Sequence, residues 1–211
     1  MTHSIAGLYV ITDARQPRPV PLETAVAATL RGGARVIQYR DKSDDAARRQ
    51  REAAGVAAQC REVDACFIVN DDVELARAVD ADGVHMGRDD GDVAAVRAAL
   101  GPDRWVGVSC YGDLDRARAA IDAGADYLAF GSMYPSPTKP EAAVVPLSIF
   151  AAARALTDRP LVAIGGINAD NIAEVTAAGA DAVAVVNAVS GAADIEAATA
   201  DLIARGFGEQ S

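Results

Sequence analysis

A chain of 211 residues, 51% of them hydrophobic, with a formal net charge of −10, fits one domain with a large aliphatic core. The acidic balance excludes a general nucleic-acid or anionic-membrane surface, since each needs a basic face, but leaves room for a local basic pocket around an anionic small molecule. No apolar run approaches the roughly 18 residues of a membrane span, and the N-terminal M-T-H-S-I-A-G lacks the basic and apolar regions of a signal peptide. Cys60, Cys66 and Cys110 form no C-x-x-C pair, which suits reduced thiols in a cytoplasmic protein.

After a loosely ordered tail over 1–7, Leu8–Asp13 reads as a strand, and a proline-containing loop leads to a helix over Leu22–Arg31 that stops at Gly32-Gly33. Arg35–Arg40 is the second strand and Ser43–Glu62 the second helix. Cys66–Val69 and Gly83–Met86 follow as strands, separated by an amphipathic segment over Val73–Asp82. Val93–Leu100 is helical, Trp105–Cys110 a strand, Leu114–Ala123 a helix and Asp126–Gly131 the sixth strand. A proline-rich loop over Tyr134–Pro146 precedes the helix Leu147–Leu156. Pro160–Ile164, Asp170–Ala178, Ala182–Val186 and Asp194–Arg205 complete the alternation. Eight nearly uniformly apolar strands, each with a helical partner, are the pattern of strands buried on both faces. With no G-x-G-x-x-G after the first strand, the fold class expected is α/β, a single (β/α)8 TIM barrel over 1–211. The echo of A-G-A-D-Y at 123–127 in A-G-A-D-A at 178–182 supports it.

In such barrels the chemistry lies at the carboxyl ends of the strands. The third and fourth strands end in Asn70-Asp71-Asp72 and Gly87-Arg88-Asp89-Asp90. Carboxylates from adjacent strand ends can hold a divalent cation, with water or substrate phosphate at the other positions; the plainer reading is helix N-capping. Gln38, Arg40 and Lys42 alternate onto one side of the second strand end, as a phosphate clamp would. Ser109 ends the fifth strand as a hydrogen-bond donor or a structural serine. The loop Tyr134–Pro140 offers Ser136, Thr138 and Lys139 on a backbone stiffened by three prolines. Gly165-Gly166 after strand seven, and the turn Val186-Asn187-Ala188 after strand eight, are placed where these barrels bind phosphate. His85, alone on its strand, reads as a packed, hydrogen-bonded residue rather than an acid or base. Two anion sites with a metal site between them suit two phosphorylated substrates and a divalent cation.

The motifs Q-Y-R-D-K (38–42), V-N-D (69–71), D-G-V-H-M-G-x-x-D (82–90), G-V-S (107–109), P-S-P-T-K (135–139) and A-I-G-G-I (163–167) occur in order, each at a strand end. Together with L-Y-V-I-T-D at 8–13 they make the chain resemble the thiamine-phosphate synthases over almost its full length. That resemblance implies coupling of a hydroxymethylpyrimidine diphosphate with a thiazole phosphate, or its carboxylated form, releasing pyrophosphate. It implies Mg2+ on Asp71 and Asp90, and pyrophosphate on Arg40, Lys42, Asn70, Ser109 and Lys139, with Arg40, Ser109 and Lys139 acting on the leaving group. Gln38 is then near the pyrimidine, and Ser136, Thr138, Gly166, Asn187 and Ala188 at the thiazole phosphate. The partners implied are these small molecules, with no nucleic acid or membrane; a homo-oligomer is compatible. Arg88, Tyr111 and Asn187 depart from the family pattern, which often has Gln, His and Ser there. The rivals are a thiazole tautomerase-like barrel, which expects a His soon after G-V-S, another phosphate-binding isomerase, which needs an acid/base pair, and a silent barrel that only binds a thiamine precursor.

Overall fold

The computed structural model describes residues 4–15, 20–135 and 141–208. Eight strands, β1 (Gly7–Ile11), β2 (Val36–Tyr39), β3 (Cys66–Asn70), β4 (Gly83–Met86), β5 (Trp105–Tyr111), β6 (Tyr127–Phe130), β7 (Leu161–Ile164) and β8 (Ala182–Val185), pair in parallel and in sequence order. β8 returns to β1, with Gly7 opposite Ala182, so the sheet closes into the expected barrel. Around it run α1 (Leu22–Arg31), α2 (Ala46–Glu62), α3 (Val73–Ala78), α4 (Val93–Leu100), α5 (Leu114–Asp122), α6 (Ile149–Arg154), α7 (Ile172–Ala177), the four-residue α8 (Asn187–Ser190) and α9 (Ile195–Phe207). The strands are buried on both faces because each side chain meets either the barrel axis or a helix. An outer cluster including Leu8, Ile37, Val69, Val84 and Leu128 lies under the helices, and an inner one including Ile5, Tyr9, Ile68, Tyr127 and Val162 fills the barrel.

Aspartates do much of the local specification. Asp45, Asp72, Asp92, Asp113 and Asp194 each start a helix and accept a backbone N–H of its first turn. Asp82, Asp126 and Asp181 precede β4, β6 and β8, and each accepts the backbone N–H of a residue beginning the previous strand: Phe67, Val106 and Leu161, all at 2.7 Å. The repeated A-G-A-D is thus a tie between adjacent strand starts, on the barrel end opposite the site.

Several expected boundaries move. The segment expected to be helical through Asp82 ends as a helix at Ala78, because Asp80 takes a positive φ of 54° and the chain turns into β4. The helix expected over Leu147–Leu156 is only Ile149–Arg154. The inner part of the tail expected over 1–7 belongs to the fold: Ile5 is 1% exposed and Gly7 pairs in β1.

Candidate active site

Above the inner apolar cluster, at the carboxyl ends of the strands, lies a cavity of about 460 Å3. Gln38, Arg40, Asn70, Ser109, Gly166, Asn187 and Ala188 all line it, so residues expected in two anion sites share one continuous space. Its polar floor is a chain of hydrogen bonds across the barrel. Gln38 Nε2 donates to the Tyr9 hydroxyl at 2.7 Å, and Tyr9 and Tyr127 share a bond of 3.0 Å. Tyr127 meets His85 Nδ1 at 3.1 Å, and His85 Nε2 meets Ser109 Oγ at 2.9 Å. Burial pushes both phenols above their ordinary range, so they keep their protons. The fit depends on Gly107, the register partner of Tyr127: a Cβ there would fall on the tyrosine ring. His85 therefore is the hydrogen-bonded residue expected, and it also lines the cavity.

At the end of β1, Asp13 is the organising carboxylate, and no role was read for it in the sequence. It is 3% exposed and accepts from Arg40 Nη1 at 2.6 Å and Arg15 Nη2 at 3.0 Å. Burial opposes its ionisation, but the bonds from Arg15 and the charges of both arginines outweigh it and hold its carboxyl below the usual range. Thr12 Oγ1 accepts the Arg40 backbone N–H at 3.1 Å. L-Y-V-I-T-D was the available signal, since its last two residues set the backbone and guanidinium of Arg40.

At the mouth, Lys42 Nζ lies 2.7 Å from Asp71 Oδ2 and 3.9 Å from Asp90 Oδ1. The second strand's alternation thus divides its cations: Arg40 enters the cavity, while Lys42 bridges the two carboxylates beside it. Asp71 adopts φ 64° and donates its N–H to His85 O at 2.9 Å; a left-handed non-glycine residue is the kind of strain that functional sites retain. Burial and the bond shared with Asp90 raise the Asp71 carboxyl. Burial would raise Asp90 as well, but the bond to Asp71, the Gly87 N–H at 2.6 Å and the Lys42 charge hold it low. Two hard carboxylates already gathered around a cation fit a divalent metal. Among the described residues no group of three or more His, Cys, Asp or Glu is placed as a metal cage. Asp72 caps α3 and pairs with Arg49 at 2.5 Å, and Asp89 is exposed.

Across the cavity, Gly165 and Gly166 have φ of 103° and 68°, and a Cβ on Gly166 would strike the carbonyls of Tyr134 and Pro135. The turn expected after β8 is α8, with Asn187 as its first residue. Arg88, one of the departures from the family pattern, stacks over Tyr111, 4.5 Å from the ring centroid. Tyr111 follows a register shift between Ser109 and Tyr111 on β5 and lines the cavity wall. Arg116, absent from the sequence reading, ties Ser109 O at 2.7 Å to Gly87 O at 2.9 Å and so joins the ends of β4 and β5. Ser136, Thr138 and Lys139 lie outside the described residues.

A closed eight-stranded parallel barrel, with a cavity that arginines enter above a polar floor and a carboxylate pair at its carboxyl-end rim, defines a (β/α)8 enzyme for anionic substrates. The model of the family described as thiamine monophosphate synthase matches residues 8–189. The chain is 57% identical over 201 residues to a thiamine-phosphate synthase of Halorhodospira halophila, covering 95% of this chain and 94% of that one. It is 53% identical to one of Chromobacterium violaceum, covering 99% of each. A solved thiamine phosphate pyrophosphorylase from Pyrococcus furiosus superposes with a TM-score of 0.85 at 39% identity, covering 94% of both chains. The chain belongs to the thiamine monophosphate synthase family, and its activity is the family's: synthesis of thiamine phosphate by group transfer.

Proposed function

We propose that this chain couples a 4-amino-2-methyl-5-hydroxymethylpyrimidine diphosphate with a thiazole phosphate, or its carboxylated form, through dissociative loss of pyrophosphate from the pyrimidine. The observation that carries the site assignment is the Asp71–Lys42–Asp90 cluster beside a cavity lined by Arg40, Asn70 and Ser109. Asp71 and Asp90 hold Mg2+, which supplies divalent charge against the departing pyrophosphate. Arg40, Lys42, Asn70 and Ser109 bind its oxygens, joined by Lys139 from the proline-rich loop. Stabilising charge that grows as the C–O bond breaks lowers the barrier directly. The aminopyrimidine delocalises the cation left behind, with Gln38 beside it, and the thiazole nitrogen attacks. Gly166, Asn187 and Ala188, with Ser136 and Thr138, hold the thiazole phosphate, so the second substrate is oriented when the first ionises. No side chain needs to act as a nucleophile.

Among the described residues no helix is long and apolar enough to cross a membrane, and all three cysteines are buried and unpaired, which supports a cytoplasmic enzyme whose partners are these two small molecules. Purified protein given both substrates and Mg2+ forms thiamine phosphate, and EDTA abolishes it. Folded protein that yields no product at saturating substrate overturns the proposal.

A further inference from the structure

The polar chain under the cavity has a direction. Gln38 Nε2 donates to the Tyr9 hydroxyl, and the 3.0 Å Tyr9–Tyr127 bond, open to either donor, gives the Tyr9 proton an acceptor only if Tyr9 donates to Tyr127. Tyr127, having accepted, gives its own proton to His85 Nδ1 at 3.1 Å. An imidazole that accepts at Nδ1 carries its proton on Nε2, where it faces Ser109 Oγ at 2.9 Å. Ser109 therefore accepts from His85 and keeps its hydroxyl proton for a different acceptor. It lines the cavity, and its backbone carbonyl is held by Arg116 at 2.7 Å. At the other end, an amide that spends Nε2 on Tyr9 has Oε1 as its acceptor.

We propose that Gln38, Tyr9, Tyr127, His85 and Ser109 form a one-way hydrogen-bond relay that holds His85 as the Nε2–H tautomer and reserves the Ser109 proton for the leaving pyrophosphate. Tyr9, Tyr127 and His85 are then positioning residues. The relay also presents Gln38 as an acceptor, which matches the exocyclic amino group of an aminopyrimidine. In this respect the inference rests on the proposed coupling reaction.

Three features hold the members of the relay in place. Tyr9 and Tyr127 are each about 1% exposed or less, so water does not supply a competing partner. The His85 ring stacks on Tyr127 with centroids 5.6 Å apart and an interplanar angle of 29°, which restrains it from flipping. Gly107, beside His85 in the sheet register, makes the space that brings the Tyr127 hydroxyl to Nδ1. A hydroxyl committed as a donor towards growing negative charge contributes in the transition state more than in the ground state, so its loss appears mainly in kcat.

The test reads the tautomer and the kinetics separately. The chain has two histidines, so nitrogen NMR of a histidine-labelled His3→Gln protein reports His85 alone. Without substrate, at a pH where the ring is neutral, the spectrum shows the proton on Nε2; an Nδ1–H ring overturns the relay. This measurement needs no buried substitution and no turnover, so it stands even if coupling fails, and absence of coupling counts against the proposed reaction instead. In Tyr127→Phe the ring loses its Nδ1 donor, both tautomers become populated, and kcat falls about tenfold, the size of one lost hydrogen bond, while KM for the thiazole phosphate is unchanged. His85→Gln, whose amide offers an N–H near the Nε2 position, retains more kcat than His85→Ala. Equal losses in those two, or an unchanged kcat in Tyr127→Phe, overturn the positioning role.

Discussion

Asp13→Asn tests whether the nearly buried carboxylate of β1 organises the cations of the site. The substitution keeps the shape of the side chain and removes its charge. Arg40 is 17% exposed and meets Asp13 at 2.6 Å; a charge-assisted bond of this kind contributes about 1.5–3 kcal/mol. Arg15 is 56% exposed, and its pairing adds only about 0–1 kcal/mol. The backbone N–H of Arg15 bonds to Oδ1 at 3.0 Å, and asparagine can retain that contact. The expected loss is therefore about 1.5–4 kcal/mol at pH 7, which lowers Tm by roughly 2–4 °C per kcal/mol in a chain of this size. The sign of the pH dependence follows from the depressed Asp13 pKa. A carboxyl held below its unfolded value contributes its full stability above that value, about 3.9, and loses it as pH falls through the folded value. Urea unfolding of wild type and Asp13→Asn at pH 7 and near pH 3 measures both effects. The difference between the two proteins narrows in acid. A midpoint unaffected by the substitution, or a difference that stays constant with pH, refutes this account of Asp13.

Gly107→Ala drives a methyl group into the Tyr127 ring and costs at least the ~1–3 kcal/mol of ordinary overpacking; denaturant unfolding checks it, and wild-type stability contradicts the packing described. Burial pushes the Cys60 and Cys110 thiols up to about 12 and Cys66 well above its ordinary value, so a thiol-disulfide reagent at pH 8 reacts only after denaturation. Rapid modification of the native protein would show these residues to be accessible.

The barrel was legible because eight apolar runs are punctuated by glycine, proline and capping aspartates, which mark elements locally. Element ends were less so: whether Val79 to Asp82 continues a helix depends on Asp82 reaching Phe67 in the neighbouring strand. Asp71, Asp90, Gly166 and Arg40 could be placed near the site because strand-end position is itself a sequence property. The relay could not be assembled that way. Tyr9 and Tyr127 are 118 positions apart and meet only when the barrel closes. Each alone reads as an aromatic residue in an apolar strand, and the missing side chain at Gly107 is what lets Tyr127 reach His85. The split between Arg40 and Lys42 was equally hidden, because alternation gives a side and not the carboxylate that each cation finds.

In the proposed reaction the carboxyl ends of β2, β3 and β4 hold the leaving pyrophosphate through Asp71 and Asp90. Calorimetric titration of inorganic pyrophosphate into wild type, Asp71→Asn and Asp90→Asn, each with Mg2+ and with EDTA, addresses it directly. Wild type binds tightly only with Mg2+, and either substitution weakens that binding at least tenfold, about 1.4 kcal/mol, while leaving thiazole phosphate binding intact. Pyrophosphate that binds wild type and both variants alike, with or without Mg2+, contradicts the claim.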